Sequence, residues 1–267
     1  MTTRSLHVER GGDPLGRPAV FLHAALASAK SWAPVWKRLG DYCLIAPDLP
    51  GHGGTGYEKW RDIQRQAMED AMTVCPPAHV HLVGHSFGAT VALRLAVERP
   101  EIVQSLTLIE PVYFVLAHDA GDKVYNRYTK ALGPLGAAFE AEDYALAAEM
   151  FVNMWGAEPF AGLKPKRRKD IETMMPLIRA SEPAILKPEG ANRMTLEALK
   201  GLEVPVQIIN GSDTQPIVRA VARAIRKTVP DVSISQVKEA GHMLPVTHPA
   251  RIAKRLRPFW QKHAARH

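Results

Sequence analysis

The residues with the clearest chemical potential lie in the stretch HLVGHSFGATVALRLA, residues 81 to 96. A run of strand-forming residues stops at Ser86, which stands between Gly84 and Gly88, and a helical pattern begins directly after it. The two glycines leave room for a tight turn that projects the serine side chain. Such a turn can be a simple connector or can hold a serine nucleophile, and the strand before it and the helix after it favour the nucleophile. It also places the Phe87 backbone N–H at a helix N-terminus, where it can donate to an oxyanion.

A serine hydroxyl is weakly nucleophilic at neutral pH and needs a neighbouring base. The candidate is His242, in the stretch KEAGHMLPVTHP. It follows the last strand-like run and precedes the final helical pattern. We therefore expect it at the same sheet edge as Ser86, where ligands of parallel α/β sheets bind. We interpret His52 and His248 as structural residues of a loop and a helix entry.

Two carboxylates could orient His242. Glu110 ends the apolar run QSLTLIE, and a carboxylate at the end of a buried strand is costly unless it is paired. Asp213 follows the run VPVQIING, but it also stands just ahead of QPIVRA, where an Asp is a natural helix cap. The residues alone leave both carboxylates open.

The glycine-rich stretch GHGGTG, residues 51 to 56, matches the G-x-G-x-x-G spacing of dinucleotide-binding loops. That motif must lie directly between a strand and a helix. Here Pro47 and Pro50 separate it from the preceding strand, and the residues after it do not begin a helix at once. We therefore expect no NAD site. Cys43 and Cys75 form no CxxC motif and no Cys/His cluster, so we expect neither a metal site nor a disulfide.

The composition is that of an ordinary globular protein, because 46% of the 267 residues are hydrophobic and 23% are charged. The net charge is +7. We interpret the basic run KPKRRK, residues 164 to 169, as a solvated helical face, since no nucleic-acid motif accompanies it. No apolar run approaches the roughly 20 residues that cross a bilayer, and the first residues lack the apolar core of a signal peptide. We expect a cytoplasmic protein that acts on a small molecule and binds neither nucleic acid nor membrane. Its oligomeric state is left open.

Six short apolar runs predict strands that are buried on both faces of a sheet. They are RPAVFLHA (17–24), YCLIAPD (42–48), HVHLVGH (79–85), QSLTLIE (104–110), VPVQIING (204–211) and VSISQVK (232–238). Helical patterns at 62–75, 87–98, 216–228 and 249–262 follow or separate most of them. This alternation predicts an α/β fold, a mostly parallel twisted sheet flanked by helices.

The alternation breaks once, from Tyr113 to about Lys200, where the pattern is helical and rich in Ala, Met and aromatic residues. We interpret residues 112–200 as an inserted helical cap on an α/β core formed by residues 1–111 and 201–267. The aromatic and Met side chains predict an apolar pocket wall, although they could equally form the cap's own core.

Six motifs, taken in chain order, resemble the α/β-hydrolase superfamily over nearly the full length of the sequence. They are FLHAALASAKSW, APDLPGHGGTG, GHSFGAT, LTLIEP, INGSDTQP and AGHMLPVTHP. The resemblance implies that Ser86 is the nucleophile and His242 the general base. It further implies that the backbone N–H groups of Ala25 and Phe87 hold the oxyanion, and that GHGGTG is a family loop rather than a dinucleotide site.

The resemblance also bears on the acid. The family commonly carries its Asp three residues past the glycine that ends the later strand, and that position is Thr214 here, so Asp213 is one residue short. An acid at the end of the earlier strand is a known variant and would be Glu110. We favour Glu110 as the acid and keep Asp213 as the alternative.

These residues together predict a cofactor-free serine hydrolase that cleaves a carboxylic ester, or a related acyl bond, of a small and largely apolar substrate through an acyl-enzyme. Hydrolysis of thioesters, lactones or carbon–carbon bonds stays open, because the same residues serve those reactions. The alternative of another class is a ligand receptor that keeps the hydrolase fold and shows little turnover.

Overall fold

The computed structural model describes residues 4–264, so residues 1–3 and 265–267 of the predicted core lie outside it. Its centre is a seven-stranded sheet. The strands are β1 (Val8–Gly12), β2 (Arg17–Leu22), β3 (Tyr42–Pro47), β4 (Val80–His85), β5 (Val103–Ile109), β6 (Val206–Gly211) and β7 (Val232–Val237). Their spatial order is β1-β3-β2-β4-β5-β6-β7. All neighbours are parallel except β1, which runs antiparallel to β3.

The mostly parallel sheet confirms the predicted fold class. Each of the six predicted strands is present with its ends shifted by at most two residues. The sequence reasoning missed β1, VERGG, because this edge strand is half exposed and contains no apolar run.

Helices cover both faces of the sheet. Those of the core are α1 (Ala33–Trp36), α2 (Ile63–Val74) and α3 (Phe87–Glu98), followed after the later strands by α10 (Pro216–Thr228), α11 (Leu244–Thr247) and α12 (Pro249–Lys262). The predicted helical patterns at 87–98, 216–228 and 249–262 coincide with α3, α10 and α12.

Successive residues of each strand point to opposite faces of the sheet and join two separate hydrophobic clusters. In β2, Val20 and Leu22 belong to the cluster that also contains residues of α2, α3 and α10, whereas Ala19 and Phe21 belong to the cluster that contains residues of α1 and α12. Burial on both faces explains why the inner strands have nearly continuous apolar runs. The sheet is therefore a rigid base for the residues that follow its carboxyl ends.

The elements between β5 and β6 are all helical. They are α4 (Phe114–Asp119), α5 (Val124–Ala131), α6 (Gly133–Glu140), α7 (Tyr144–Trp155), α8 (Pro165–Ile185) and α9 (Leu196–Leu199), with a short 3₁₀ turn at Phe160–Gly162. We call residues 112–200 the helical insertion. Part of it has its own core, which includes Leu135, Phe139 and Met175, whereas residues 112–117 belong to the cluster beside the sheet. The division into core and cap at 112 and 200 remains a prediction.

Within residues 4–264, none of the helices combines the length and the apolar character that a membrane span requires.

Candidate active site

The register of the sheet brings Ser86 and Glu110 side by side. His85 and Ile109 are paired at the ends of β4 and β5, so the next residue of each strand leaves the sheet at the same level. The Ser86 N–H donates to the Ile109 carbonyl at 2.9 Å, and the Glu110 N–H donates to the Ile209 carbonyl at 3.0 Å. These last interstrand hydrogen bonds therefore fix the backbone of Ser86 and of Glu110 at the point where the two side chains leave the sheet.

Both residues adopt a backbone conformation that is rare outside glycine. Ser86 has φ +54° and Glu110 has φ +51°. Such strained residues cost of the order of 1–3 kcal/mol and persist where the surrounding structure enforces them. The strain at Ser86 is that of a sharp strand-to-helix turn, because α3 begins at Phe87.

His242 lies between the two side chains. Its Nε2 is 2.8 Å from the Ser86 Oγ, and its Nδ1 is 3.0 Å from the Glu110 Oε2. An ionised carboxylate can only accept hydrogen bonds, so Nδ1 carries the proton and Nε2 is left to accept from the serine hydroxyl. Ser86 and His242 are each 8% exposed and Glu110 is fully buried. This arrangement can remove the proton from the hydroxyl of Ser86.

Glu110 receives two further hydrogen bonds. The Gly211 N–H donates to its Oε1 at 2.7 Å, and the Thr214 hydroxyl donates to its Oε2. Three donors from three places in the chain therefore hold the carboxylate, which satisfies a group that burial would otherwise destabilise.

Asp213, the alternative acid, does not contact His242. Its side chain is exposed and accepts a hydrogen bond from the Ser212 hydroxyl at 2.8 Å. The expectation that it caps the next helix is wrong, because α10 begins at Pro216 and its N-cap is Gln215, which makes no side-chain capping bond. The turn after β6 instead directs the neighbouring Thr214 towards Glu110.

The two predicted backbone donors line the same pocket as Ser86 and His242. Neither the Ala25 N–H nor the Phe87 N–H donates to an acceptor within residues 4–264. The Phe87 N–H is in the first turn of α3, whose N-terminus favours negative charge. The pair could hold an anionic oxygen that develops next to Ser86.

Two buried histidines fix the loop that carries Ala25. His52 accepts from the Leu26 N–H at 3.0 Å through Nε2, and its Nδ1–H donates to the Pro50 carbonyl. His23 accepts from the Leu49 N–H at 2.9 Å and donates to the Ala24 carbonyl. Burial lowers the pKa of His23 to about 3 and lowers the pKa of His52, so both rings are neutral. Each ring can therefore donate at one nitrogen and accept at the other.

These bonds also show what the GHGGTG stretch does. It forms a loop well before α2, which starts at Ile63, and His52 within it braces the loop of Ala25. The strand–glycine–helix arrangement that a dinucleotide loop needs is not formed at these residues. Within residues 4–264 no group of three or more His, Cys, Asp or Glu side chains could hold a metal ion.

Arg167 links the helical insertion to the same loop. Its Nη2 donates to the Leu26 carbonyl at 2.6 Å, next to Ala25. Arg167 is exposed on a helix, as expected of this basic run, and it additionally reaches the loop of Ala25. Nothing in the spacing of the basic run distinguishes this residue from its neighbours, since the contact spans 141 positions of the chain.

Two further contacts to His242 were not predicted. The Nε2–H of His85 donates to the His242 backbone carbonyl at 2.9 Å, and burial is the main reason that the pKa of His85 falls to about 3. The ring of Trp155 lies edge-on to the His242 ring at 4.6 Å between centroids. Trp155 was recognised only as part of an aromatic-rich segment, because its sequence neighbours do not indicate its partner.

Ser86 and His242 lie where two cavities meet. The inner pocket lies between the sheet edge and the helical insertion and has mostly apolar walls, among them Val112, Phe114, Phe151, Trp155 and Ile178. It contains about 580 Å³ of space between atoms, part of it open to solvent. The outer groove is more polar and includes Lys30, Glu158, Arg167 and Asp170. A substrate could therefore place one part on each side of Ser86.

The sequence model of the Alpha/beta hydrolase family matches residues 19–255. Biotin biosynthesis bifunctional protein BioHC of Teredinibacter turnerae is 26% identical over 286 residues, which cover 98% of this chain and 48% of that protein. Lipase LipV of Mycobacterium tuberculosis is 32% identical over 108 residues, 40% of this chain and 41% of the lipase. The chain thus spans less than half the length of both relatives. Pimeloyl-(acyl-carrier protein) methyl ester esterase of Nitrosomonas europaea is 26% identical over 89% of this chain and 92% of that esterase.

Solved structures agree with the fold. A thermophilic esterase from Thermogutta terrifontis has a TM-score of 0.71 at 20% identity, covering 98% of this chain and 95% of that one. Naproxen esterase from Bacillus subtilis has a TM-score of 0.65 at 21% identity, covering 96% of this chain and 87% of that one. At such identities the likeness shows the fold alone.

Proposed function

This chain belongs to the Alpha/beta hydrolase family, and from that premise we propose that it is a serine hydrolase that cleaves a carboxylic ester through an acyl-enzyme. The observation that carries the proposal is the continuous chain of hydrogen bonds from Ser86 through His242 to Glu110. The Ser86 end of these hydrogen bonds lies in a pocket, which is also lined by Ala25 and Phe87. The backbone N–H groups of these two residues have no acceptor in residues 4–264.

The reaction begins when the Ser86 Oγ attacks the ester carbonyl carbon while His242 Nε2 takes the hydroxyl proton. The N–H groups of Ala25 and Phe87 hold the tetrahedral oxyanion. Collapse breaks the bond to the alcohol oxygen, which receives the proton from His242. Water then attacks the acyl-enzyme, giving its proton to His242. The second collapse releases the acid and returns the proton to Ser86.

Glu110 holds His242 in the required tautomer throughout and stabilises the imidazolium that forms twice in each cycle. The side chains and backbone groups of the chain thus provide the nucleophile, base and oxyanion donors, so the proposed reaction needs no cofactor. The relatives include esterases and a lipase, and this is consistent with an ester as the substrate.

The first test is labelling of the protein with a fluorophosphonate. We expect one label at Ser86, and Ser86→Ala should lose the label and lower kcat by roughly 10⁴-fold or more, because the three residues act as one unit. Ser233→Ala is the matched control, since this serine is exposed on β7. Labelling that persists in Ser86→Ala would contradict the proposal. A receptor would show at most one slow turnover.

The second test concerns the acyl group, which we place in the inner pocket because its walls are apolar. Across p-nitrophenyl esters from acetate to octanoate, kcat/KM should rise until the pocket is filled, by about 0.8 kcal/mol or roughly fourfold for each buried methylene. A flat series would mean that the aromatic side chains of the helical insertion only pack against one another.

A further inference from the structure

Three polar side chains line the inner pocket apart from Ser86 and His242. They are Tyr128 on α5 and Ser181 and Glu182 near the end of α8. Trp155 lies between Tyr128 and the reacting groups, since its ring is 4.6 Å from the ring of His242 and 6.1 Å from that of Tyr128. An apolar pocket with a few polar groups in defined places is the usual form of a selective site.

Glu182 is the charged member of this group. Its side chain is 15% exposed, and its Oε2 accepts from the Arg179 guanidinium at 3.1 Å. Its Oε1 accepts no hydrogen bond from residues 4–264. Burial is the main reason that its pKa is raised. The same guanidinium also binds Glu140 on the surface, so Glu182 shares its cation with a second carboxylate.

Apart from the cations Arg179 and Lys187, which act on its charge, Glu182 has a neighbouring group that can only accept. The Ser181 hydroxyl gives its proton to the Ile178 carbonyl at 2.7 Å, so only its lone pairs remain for a ligand. Helix α8 ends at Ile185, and its negative end therefore faces this part of the pocket. The charge of Glu182 also acts on Tyr128, whose pKa is raised chiefly by burial and further by Glu182. The distal end of the pocket thus holds two acceptors, Ser181 and Glu182, and beside them the Tyr128 hydroxyl, which can both accept and donate.

Resting on the proposed function, we propose that this acceptor cluster, Ser181 and Glu182, binds a hydrogen-bond donor on the acyl chain of the substrate. The substrate is then an ester whose acid carries a hydroxyl or ammonium group several carbons from the carbonyl. A chain that ends in a methyl group leaves Glu182 without a new partner. A chain that ends in a carboxylate meets a like charge.

The test compares four methyl esters of nearly equal length: methyl heptanoate, methyl 6-hydroxyhexanoate, methyl 6-aminohexanoate and monomethyl adipate. We expect kcat/KM for the better of the hydroxy and amino esters to exceed that for the heptanoate by about tenfold, as for a hydrogen bond to a charged group. Which of the two is better identifies the donor. The adipate should be the poorest. A heptanoate that equals or exceeds both donor esters overturns the inference.

Glu182→Gln removes the charge without changing the shape of the side chain, and Glu140→Gln is its matched control. Both substitutions remove a carboxylate partner of Arg179, but Glu140 is 72% exposed and does not line the pocket. The ratio of kcat/KM for the preferred donor ester to that for the heptanoate should fall about tenfold in Glu182→Gln, because a neutral amide accepts more weakly than a carboxylate, and stay unchanged in Glu140→Gln. Equal ratios in both variants and the parent protein overturn the inference.

Binding of the four esters to Ser86→Ala, measured by calorimetry, tests the same preference without catalysis. Tighter binding of a donor ester to Ser86→Ala supports the acceptor cluster even if the parent protein hydrolyses none of the four, and that result would count against the proposed function alone. Turnover of all four esters with no preference, in binding or in rate, would leave the proposed function intact and overturn the inference.

Discussion

At the scale of single residues, Glu110 is the most informative side chain of the site. Its carboxylate accepts from Gly211, Thr214 and His242, and all three contacts depend on its own left-handed backbone at the end of β5. Thr214 stands at the position where the resemblance places the family's usual acid, and here it donates to the glutamate instead. The two positions therefore remain neighbours although the carboxylate has changed strand.

This geometry predicts different results for two isosteric substitutions. Glu110→Gln should lower kcat/KM by on the order of 10⁴-fold, the size of the loss on removing the orienting carboxylate of a well-studied triad. Asp213→Asn should leave kcat/KM near that of the parent, because its side chain is exposed and bonds to Ser212. Steady-state kinetics on one ester compare them. A large loss in Asp213→Asn with a normal Glu110→Gln would reverse the assignment.

Local sequence was sufficient to propose Ser86, His242 and Glu110, because each follows a run that marks a strand, but the family resemblance was needed to favour Glu110 over Asp213. It was insufficient for His85, Trp155 and Arg167. Each of these touches the site through a contact between distant segments, and neither hydrogen bonds nor ring contacts of this kind have a characteristic spacing in the chain. Composition indicates that a wall is aromatic or a run is basic, but the fold decides which member faces the site.

At the scale of elements, the turn between β4 and α3 depends on two close approaches. A Cβ at Gly84 would lie 2.3 Å from the Gly88 carbonyl oxygen, and a Cβ at Gly88 would lie 2.3 Å from the carbonyl oxygen of Leu22. Backbone atoms cannot move aside as a flexible side chain can. The sequence predicted that the two glycines leave room for a tight turn. The structure shows that both glycines are required because α3 packs closely against β2 and β4.

We therefore expect Gly88→Ala to lower the free energy of unfolding by about 1–3 kcal/mol, as overpacking of a tight site does. Gly136→Ala is the control, because nothing lies within 4 Å of the added Cβ in α6. There the alanine should be neutral or stabilise by roughly 0.5–1 kcal/mol, since glycine is a poor helix former. Urea unfolding of both variants measures the difference. Equal stabilities would mean that the turn relaxes freely.

The elements that the sequence predicted best are those buried on both sides. Strands β2 to β6 have apolar runs because both faces of the sheet are covered, whereas the edge strand β7 is mostly half exposed. Helices α3, α10 and α12 have helical patterns that lie between turn residues. Strand β1 was missed because an edge strand needs apolar residues on fewer positions. The folding of the helical insertion over the pocket could not be deduced, since its helices pack by contacts that no single-sequence period describes.

At the scale of the whole molecule, the proposed activity depends on how the helical insertion meets the sheet. The inner pocket is formed jointly by residues of the insertion and by residues at the carboxyl ends of the strands. Arg167 joins the same two parts through the Leu26 carbonyl. The position of the insertion is therefore coupled to the loop that carries the Ala25 N–H.

Buried neutral histidines give the molecule a characteristic response to pH. Burial is the main cause that lowers the pKa of His23 and His85 to about 3 and that of His81 to about 4. An unfolded histidine titrates near pH 6.5. Between about pH 4 and 6.5 the unfolded chain therefore binds more protons at these three histidines than the folded chain does, so their contribution to the free energy of unfolding falls as the pH falls.

The effect can be isolated at His81, which lies away from the proposed active site, is stacked on Trp260 and is hydrogen-bonded to Ser105 at 2.8 Å. From pH 7 to pH 5 this one histidine should remove on the order of 2 kcal/mol from the free energy of unfolding. His81→Gln cannot take up that proton, so its loss over the same interval should be smaller by about this amount, whatever the substitution costs at pH 8. Urea unfolding of the two proteins is compared at each pH, so that the contributions of all other titrating groups to the free energy of unfolding cancel. These include Glu182, whose raised pKa changes the free energy of unfolding in the opposite direction. If the free energy of unfolding depends on pH in the same way in both proteins, His81 is protonated as readily in the folded state as in the unfolded chain. That result would contradict a neutral, buried His81 ring.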